Sequence, residues 1–151
     1  MSYEIKAEPG QRRYMVAVEF TCGVEEMPVR LQQAFAEVGQ YAGSAGVVLS
    51  GPAVARYTTP QDGAFGVAAG FYVPEPVPGD GHVVCIELPQ GDVARTTHTG
   101  PYEALPQAYD AIFEWMDANG REPDSIMWEE YHSSPDTPIS EAHTEIFWPM
   151  K

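Results

Sequence analysis

Residues 98–116 read HTGPYEALPQAYDAIFEWM. Pro101 occupies a first-turn position that helices tolerate, and Asn119-Gly120 provides a stop signal, so this stretch predicts a helix over 101–118. Its apolar residues recur at helical spacing and would form one buried face. They are Leu105, Tyr109, Ile112, Phe113 and Met116. A helix with one apolar face needs a second layer to cover it, and the neighbouring sequence predicts strands.

Short β-rich segments lie on both sides of this helix. They cover residues 82–89, 92–99, 125–133 and 143–150. The first two are separated by a turn at Gln90-Gly91, and all of them have the length and residue types that strands favour.

The first half of the chain shows a similar order of elements. Its predicted elements are a strand at 14–21, a helix at 28–41 and strands at 52–59 and 65–73. A turn that contains Asp62 and Gly63 separates the last two strands. The segment 74–81 is rich in proline and glycine and is the clearest internal boundary.

The two halves can be aligned with a shift of 78 residues. This shift places Thr21 on Thr99, Glu25 on Glu103, Pro28 on Pro106 and Phe35 on Phe113. We therefore predict an internal duplication, with repeats at approximately 1–74 and 81–150, inside one domain over 1–151. The predicted fold class is α+β, with a duplicated strand-helix-strand-strand module. Its antiparallel sheet would carry two helices that flank a central ligand groove.

Composition limits the classes of partner. The 151 residues carry a net charge of −14, which disfavours nucleic acid and anionic membranes as partners and mildly favours cationic ligands. Solubility alone would also explain the charge. The two cysteines, Cys22 and Cys85, form no CxxC pair, and no signal core or long apolar run occurs, so a cytoplasmic protein with buried free thiols is expected.

The usual motifs for metals and cofactors are not found. The four histidines have no HExxH-type spacing, and no glycine-rich phosphate loop or GxSxG elbow is present. We expect no metal and no cofactor, and we expect the histidines at surface or turn positions.

Three motifs in the second half carry a family resemblance. They are T-G-P-Y-E-x-L-P at 99–106, E-x-Y at 129–131 and T-E-I-x-x-P at 144–149. Together they resemble the GyrI-like effector-binding domain, a family that includes the ligand domains of multidrug-sensing regulators of the MerR and AraC types and stand-alone small proteins. The resemblance covers nearly the whole chain and implies a duplicated α+β module with a ligand groove between the halves.

The chain departs from the family pattern in two places. The Gly100-Pro101 pair of the helix start becomes Cys22-Gly23 in the first half, which is therefore the more diverged copy. No helix-turn-helix or basic segment precedes residue 3, so we expect a stand-alone member that is not itself a DNA-binding regulator.

Strand alternation predicts which face of the strand each acid of the segment MWEEYHSSP at 127–135 occupies. Glu129 and Tyr131 would share one face of a strand, and Glu130 would share the other with Trp128. The resemblance implies that Glu129 lies in the ligand pocket and meets a positive charge of the ligand, and we expect Glu130 to be solvated. Loop-length changes reduce the shift between the halves to 74 residues in this region, where Tyr57 falls on Tyr131 and Ala55 on Glu129. The acid is therefore present in one half alone.

Aromatic residues complete the predicted site, because their rings stabilise bound cations. Tyr109 and Trp115 are predicted to border the groove, whereas Phe113 is assigned to the core. Since residues 147 and 148 alternate, one of the two rings faces the interior. The candidate ligand-binding residues are Glu129, Tyr131, Tyr57, Tyr109, Trp115, Tyr41 and Trp148.

Three functions remain open from the sequence. The favoured one is binding of lipophilic, often cationic or aromatic, drug-like small molecules, for sensing or sequestration. The resemblance also implies an alternative, hydrolysis of cyclopropane-bearing alkylating compounds, with Glu129 as general base or water-orienting group and Tyr131 as hydrogen-bond donor. A third is a protein partner, as in the gyrase-inhibitor branch. A related two-repeat fold binds haem, but no axial ligand motif supports haem here.

Overall fold

The computed structural model describes residues 3–61, 64–132 and 138–151. In this part of the chain the structure has two α-helices and eight strands that pair antiparallel, so the predicted α+β class is confirmed. Neither helix is long and apolar enough to span a bilayer. The predicted turn residues Asp62 and Gly63, and the end of the predicted strand at Ser133, lie outside the described residues.

The chain forms two compact units. The N-terminal unit is Arg12–Pro89, and the C-terminal unit combines Met1–Gln11 with Gln90–Lys151. The boundary between the two units therefore lies between Pro89 and Gln90. It is eight residues beyond the glycine- and proline-rich segment 74–81, where the sequence predicts the boundary between the repeats. The predicted repeat and the predicted groove between halves stay predictions.

The N-terminal unit is a four-stranded sheet with one helix. Its elements are β2 (Tyr14–Cys22), α1 (Met27–Ala45), β3 (Ser50–Gln61), β4 (Ala64–Val73) and β5 (Val83–Glu87). The strand order is β3-β4-β2-β5. Helix α1 packs against β2 and β4 and buries Ala34, Val38 and Ala42, which are spaced one turn apart. It ends because Gly46 adopts a left-handed φ of 70° and donates its N–H to the Ala42 carbonyl.

The C-terminal unit has the same order of a strand, a helix and two strands. Its elements are β1 (Lys6–Glu8), β6 (Val93–Thr99), α2 (Leu105–Ala118), β7 (Ile126–Tyr131) and β8 (His143–Pro149). The strand order is β1-β6-β8-β7, and α2 packs against β6. The buried residues of α2 recur at intervals of three or four, which is the spacing of one helix face. They are Leu105, Ala108, Ile112 and Met116.

Several local predictions need correction. The strand at Val83–Glu87 does not form a hairpin with the strand that follows it; it pairs with β2. The short strand β1 was not predicted from the sequence, and it pairs with β6. The first turn of the predicted helix at 101–118 is a 3-10 helix, Tyr102–Ala104. The pairing of β5 with β2 and the formation of β1 both depend on contacts between residues far apart in the chain, which local sequence patterns do not predict.

His98 is buried, contrary to the predicted surface position of the histidines. Its Nε2 atom lies 2.9 Å from the carbonyl oxygen of Pro101, and its Nδ1 atom lies 2.9 Å from the Tyr3 hydroxyl. The first contact makes Nε2 the donor, because a carbonyl can only accept. The histidine thus ties the first described residue of the chain to the start of α2.

Gly70 of β4 offers a test of the strand spacing in the N-terminal unit. It lies opposite Ala17 of β2, and a Cβ atom added to it would lie 1.8 Å from the Val16 carbonyl oxygen. Gly70→Ala should force the two strands apart and lower the free energy of unfolding by at least about 1–3 kcal/mol. Urea unfolding followed by circular dichroism measures this change.

Gly39 is the matched control. It lies on the exposed side of α1, and a Cβ atom there would meet nothing within 4 Å. Gly39→Ala should raise the free energy of unfolding by about 0.5–1 kcal/mol, since alanine loses less backbone entropy on folding. A Gly70→Ala protein as stable as the wild type would contradict the close approach of β2 and β4.

Candidate functional site

The site is built around Glu129, in the middle of β7. This strand pairs antiparallel with β8, and Glu129 lies directly opposite Ile146, which is fully buried. Glu129 itself is 2% exposed, so the structure places this acid in the interior, as strand alternation and the family motif predicted. A carboxylate at such a position loses nearly all of its hydration and needs hydrogen-bond donors.

Two tyrosine hydroxyls supply these donors. Tyr131 lies two residues further along β7 on the same face, and its hydroxyl donates to Oε1 of Glu129 at 2.9 Å. Tyr109 projects from α2, and its hydroxyl donates to Oε2. Among the described residues, no basic side chain forms an ion pair with Glu129. Burial raises the pKa of Glu129, and the hydrogen bonds from Tyr109 and Tyr131 offset part of that rise.

An aromatic group lies beside the carboxylate. The ring of Trp148 on β8 meets Tyr109 and Phe113 of α2 edge-on, with centroids 5.9 Å and 4.7 Å away. The two helix residues are one turn apart, so both can contact the same ring. The indole N–H of Trp148 donates to the Asp124 carbonyl at 3.1 Å, which fixes the ring. Phe113 is 37% exposed, so its assignment to the core is wrong.

The structure also settles which ring of β8 lies on this side of the sheet. Trp148 contacts α2, whereas Phe147 stacks on Trp128 at 5.6 Å on the opposite face. Trp115 follows Tyr109 by six residues, which is about 240° around a helix, and it therefore lies on the other flank of α2. Its role in ligand binding stays a prediction.

Two candidate residues belong to the N-terminal unit. Tyr41 on α1 packs against the buried cluster that contains Val16 and Val38, and its buried hydroxyl has no hydrogen-bond partner among the described residues. Tyr57 is half-buried in β3, opposite Val67 of β4. Their participation in a ligand site stays a prediction.

Glu130 is not solvated, and this expectation from the sequence is wrong. It is 5% exposed, and its Oε1 atom lies 3.0 Å from Nε2 of His132. The residue opposite it on β8 is Glu145, which Arg95 holds through a 2.6 Å contact. Burial favours the protonated form of Glu145, but the hydrogen bond and charge of Arg95 hold its pKa below the usual value. Charged side chains thus cover Glu130 on the face away from Glu129.

Thr144 is a site residue that the sequence reasoning missed. It lies directly opposite Tyr131 on β8 and is fully buried. In the part of the chain that the structure describes, its hydroxyl has no hydrogen-bond partner. Thr144 and Ile146 are two residues apart in the T-E-I motif, so strand alternation predicts that both face the same side. This spacing could have placed Thr144 on the Glu129 face. The face therefore offers one carboxylate, two tyrosine hydroxyls, a threonine hydroxyl and the edge of an aromatic cluster.

Solved structures share this fold. The chain superposes on the EcmrR C-terminal domain with a TM-score of 0.84 at 19% identity, over 100% of this chain and 99% of that one. It covers 58% of the EcmrR chain in a complex with DNA, with a TM-score of 0.79 and 20% identity. The superposition on a hydrolase from Listeria innocua has a TM-score of 0.69 at 13% identity, over 99% of this chain and 93% of that one.

A further structure contains a lipophilic cation. SAV2435 bound to tetraphenylphosphonium gives a TM-score of 0.66 at 14% identity, over 100% of this chain and 94% of that one. The chain matches no curated protein sequence. These likenesses agree with the architecture described above, and the sequence itself decides the family. The model of the GyrI-like small molecule binding domain matches residues 1–151, so the chain belongs to the GyrI-like family.

Proposed function

We propose that this domain binds lipophilic cations, above all aromatic ones, with Glu129 as the residue that meets the positive charge. The observation that carries the proposal is a carboxylate that is 2% exposed, held by two neutral hydroxyls and paired with no basic side chain among the described residues. A buried charge without a counter-ion is costly to the fold, and a bound cation would offset that cost.

The chemistry around Glu129 supports the same class of ligand. The hydroxyls of Tyr109 and Tyr131 orient both carboxylate oxygens, and Trp148 and Phe113 supply apolar ring surface beside them. Aromatic faces stabilise a desolvated cation by roughly 0.5–2 kcal/mol each. The net charge of −14 raises the local concentration of cations around the protein. SAV2435, which has the same fold, is bound to tetraphenylphosphonium, a cation of this type.

Entry of a ligand requires movement of side chains. Glu129 is closed off from solvent in this structure, and both of its oxygens are engaged by tyrosines. The half-exposed Phe113 and the ring of Trp148 lie between α2 and β8, so their displacement would open a route along the helix. We infer that ligand binding exchanges part of this aromatic packing for contacts with the rings of the ligand. Such a domain would serve to sense or to sequester its ligand.

The charge preference can be measured with two ions of the same shape. Tetraphenylphosphonium should bind much more tightly than tetraphenylborate, and Glu129→Gln should weaken binding of the cation by about 1–3 kcal/mol, the size of a charge-assisted contact. Isothermal titration calorimetry of both ions with both proteins gives the four affinities.

Glu114→Gln is the matched control for that titration. Glu114 lies on α2 and is exposed, so its replacement removes the same charge without touching the site. It should change the affinity for the cation by only a few tenths of a kcal/mol, because solvent screens exposed charges. Equal losses in the two variants would show that net charge rather than Glu129 attracts the cation, and the proposal would fail.

The stability of the same variant gives an independent prediction. Glutamine fills the volume of Glu129 and can exchange hydrogen bonds with both tyrosine hydroxyls without a buried charge. Glu129→Gln should therefore be at least as stable as the wild type in urea unfolding at pH 8, with a gain of up to about 2 kcal/mol. Glu129→Ala should be less stable by about 1–3 kcal/mol, since it leaves a cavity and two hydroxyls without an acceptor.

A large loss of stability in Glu129→Gln would overturn this interpretation. It would mean that the negative charge itself holds α2 against β7, so that the carboxylate serves the fold rather than a ligand.

Hydrolysis of a strained ring is the second candidate function. The observation that favours it is the pairing of a buried carboxylate with a tyrosine hydroxyl at 2.9 Å, an arrangement suited to orienting water and supplying a proton. Glu129 would take a proton from water, whose oxygen forms a bond to a cyclopropane carbon. The ring C–C bond breaks, its electron pair moves into the conjugated remainder of the substrate, and Tyr131 stabilises that developing charge. Glu129 then returns the proton to this remainder, so that the product contains the elements of one water molecule and the carboxylate is regenerated.

Turnover distinguishes the two functions. If the domain is a hydrolase, the wild type should consume a cyclopropane-bearing alkylating agent and incorporate one oxygen atom from ¹⁸O-labelled water, as mass spectrometry of the product shows. Glu129→Gln should lower this rate by about 10²–10⁴-fold, the usual contribution of a general base. Binding of the intact compound without consumption would leave the binding function and exclude this hydrolysis.

A further inference from the structure

The face of the C-terminal sheet opposite Glu129 carries a second group of titratable side chains. Glu130 and Glu145 are direct cross-strand partners on β7 and β8, so their side chains leave the same face of the sheet side by side. His132 follows Glu130 by two residues and lies on that face as well. Its Nε2 atom is 3.0 Å from Oε1 of Glu130 and 3.1 Å from Oε2 of Glu145.

These three donor atoms converge on one point. One oxygen or nitrogen atom from each residue lies within 4.8 Å of the other two. Two ligand atoms of a tetrahedral metal ion, each bonded at about 2.1 Å, are about 3.4 Å apart. The contacts of the imidazole nitrogen with the two carboxylate oxygens, at 3.0 Å and 3.1 Å, are slightly shorter, so an ion could enter with small shifts of the side chains.

The electrostatics of the group favours a divalent cation. Two carboxylates directly opposite each other on neighbouring strands repel, and a nitrogen between them can donate only one proton. Arg95 contacts the far oxygen of Glu145, Oε1, at 2.6 Å and neutralises one of the two negative charges. The near oxygen, Oε2, remains directed toward His132. Hydrogen bonds of this kind to an outer oxygen are typical of the groups that orient metal ligands.

Burial distinguishes the group from an ordinary acidic surface patch. The side chain of Glu130 is 6% exposed and that of His132 is 35% exposed. The site is thus closed on the side of Glu130 and open to solvent on the side of His132, which leaves room for a water ligand. Glu145 and Arg95 also line an open cavity of about 340 Å³ together with Lys6 and Thr97.

We propose that Glu130, His132 and Glu145 form a binding site for a divalent first-row transition-metal ion, for which zinc is the best fit. One imidazole nitrogen and two carboxylate oxygens, with a position left for water, form an open zinc site. Calcium and magnesium prefer oxygen ligands only and in larger numbers, and copper(I) prefers sulfur, so these ions suit the group less well. The site is separate from the proposed ligand site, because β7 directs Glu129 to the opposite face.

Zinc titration of the full chain without a histidine tag tests the proposal. After chelator treatment and buffer exchange, calorimetry with zinc chloride at pH 7.5 should show one equivalent bound, and saturating zinc should raise the melting temperature because the ion binds the folded state. Magnesium and calcium chloride should bind at least about a hundredfold more weakly. Cobalt chloride should give visible absorption bands of a four- or five-coordinate ion rather than those of the hydrated ion.

Variants locate the ion. His132→Gln and Glu145→Gln should each weaken zinc binding by at least about tenfold, as loss of a ligand does. His82→Gln is the control, because His82 is exposed and lies in the other unit; it should leave the affinity unchanged. The proposal is overturned if zinc does not bind, if several weak equivalents bind, or if His132→Gln binds zinc like the wild type. The cobalt spectrum of the wild type decides the question even if a variant fails to fold.

Discussion

The carboxylate of Glu129 is the constraint on which the C-terminal unit depends. It lies inside the unit, between a strand and a helix, and accepts hydrogen bonds from Tyr131 of β7 and Tyr109 of α2. Hydrogen bonds to a charged acceptor contribute about 1.5–3 kcal/mol each, whereas moving the charge out of water costs several kcal/mol. The two hydroxyls position the acid but do not fully offset its burial, since its pKa stays raised. The proposed affinity for a cation rests on this incomplete offset.

Because side chains alternate along β7, the neighbouring residues Glu129 and Glu130 face two different electrostatic environments. Toward α2, Glu129 meets neutral hydroxyls and aromatic rings, and its pKa is raised by burial. On the other face, Glu145 lies opposite Glu130, and contact with Arg95 lowers its pKa. The backbone is the same for both faces. The difference comes from the covering groups: the helix that carries Tyr109 on one side, and charged side chains of β6 and β8 on the other.

The likeness to known structures fixes the architecture, while the chemistry of the site must be argued from its residues. Neighbours of this fold include a domain of a DNA-associated protein, a hydrolase and a protein with a bound phosphonium cation, all at 20% identity or below. One architecture thus serves several functions, and an inward carboxylate beside tyrosines suits a cation or a water molecule. Ala55, which the predicted repeat aligns with Glu129, is a buried apolar residue of β3.

The sequence by itself determined the α+β class, the positions of both helices and which side chains of β7 share a face. Helical spacing and strand alternation are local periodicities, and they specify which side chains share a face. The family motif added the prediction that Glu129, rather than Glu130, belongs to the ligand site. Tyr131 could be named as a donor because it lies two residues from Glu129 on the same strand.

Tertiary structure alone decided what covers each face. The reach of Tyr109 to Glu129 depends on the packing of α2 against the sheet. The burial of Glu130 depends on the pairing of β7 with β8, which brings Glu145 opposite it. The group of Glu130, His132 and Glu145 has no metal-binding motif in the sequence, because its members come from two strands and meet only through their register. Periodicity describes one element at a time, and the pairing of elements far apart in the chain decides which charges become neighbours.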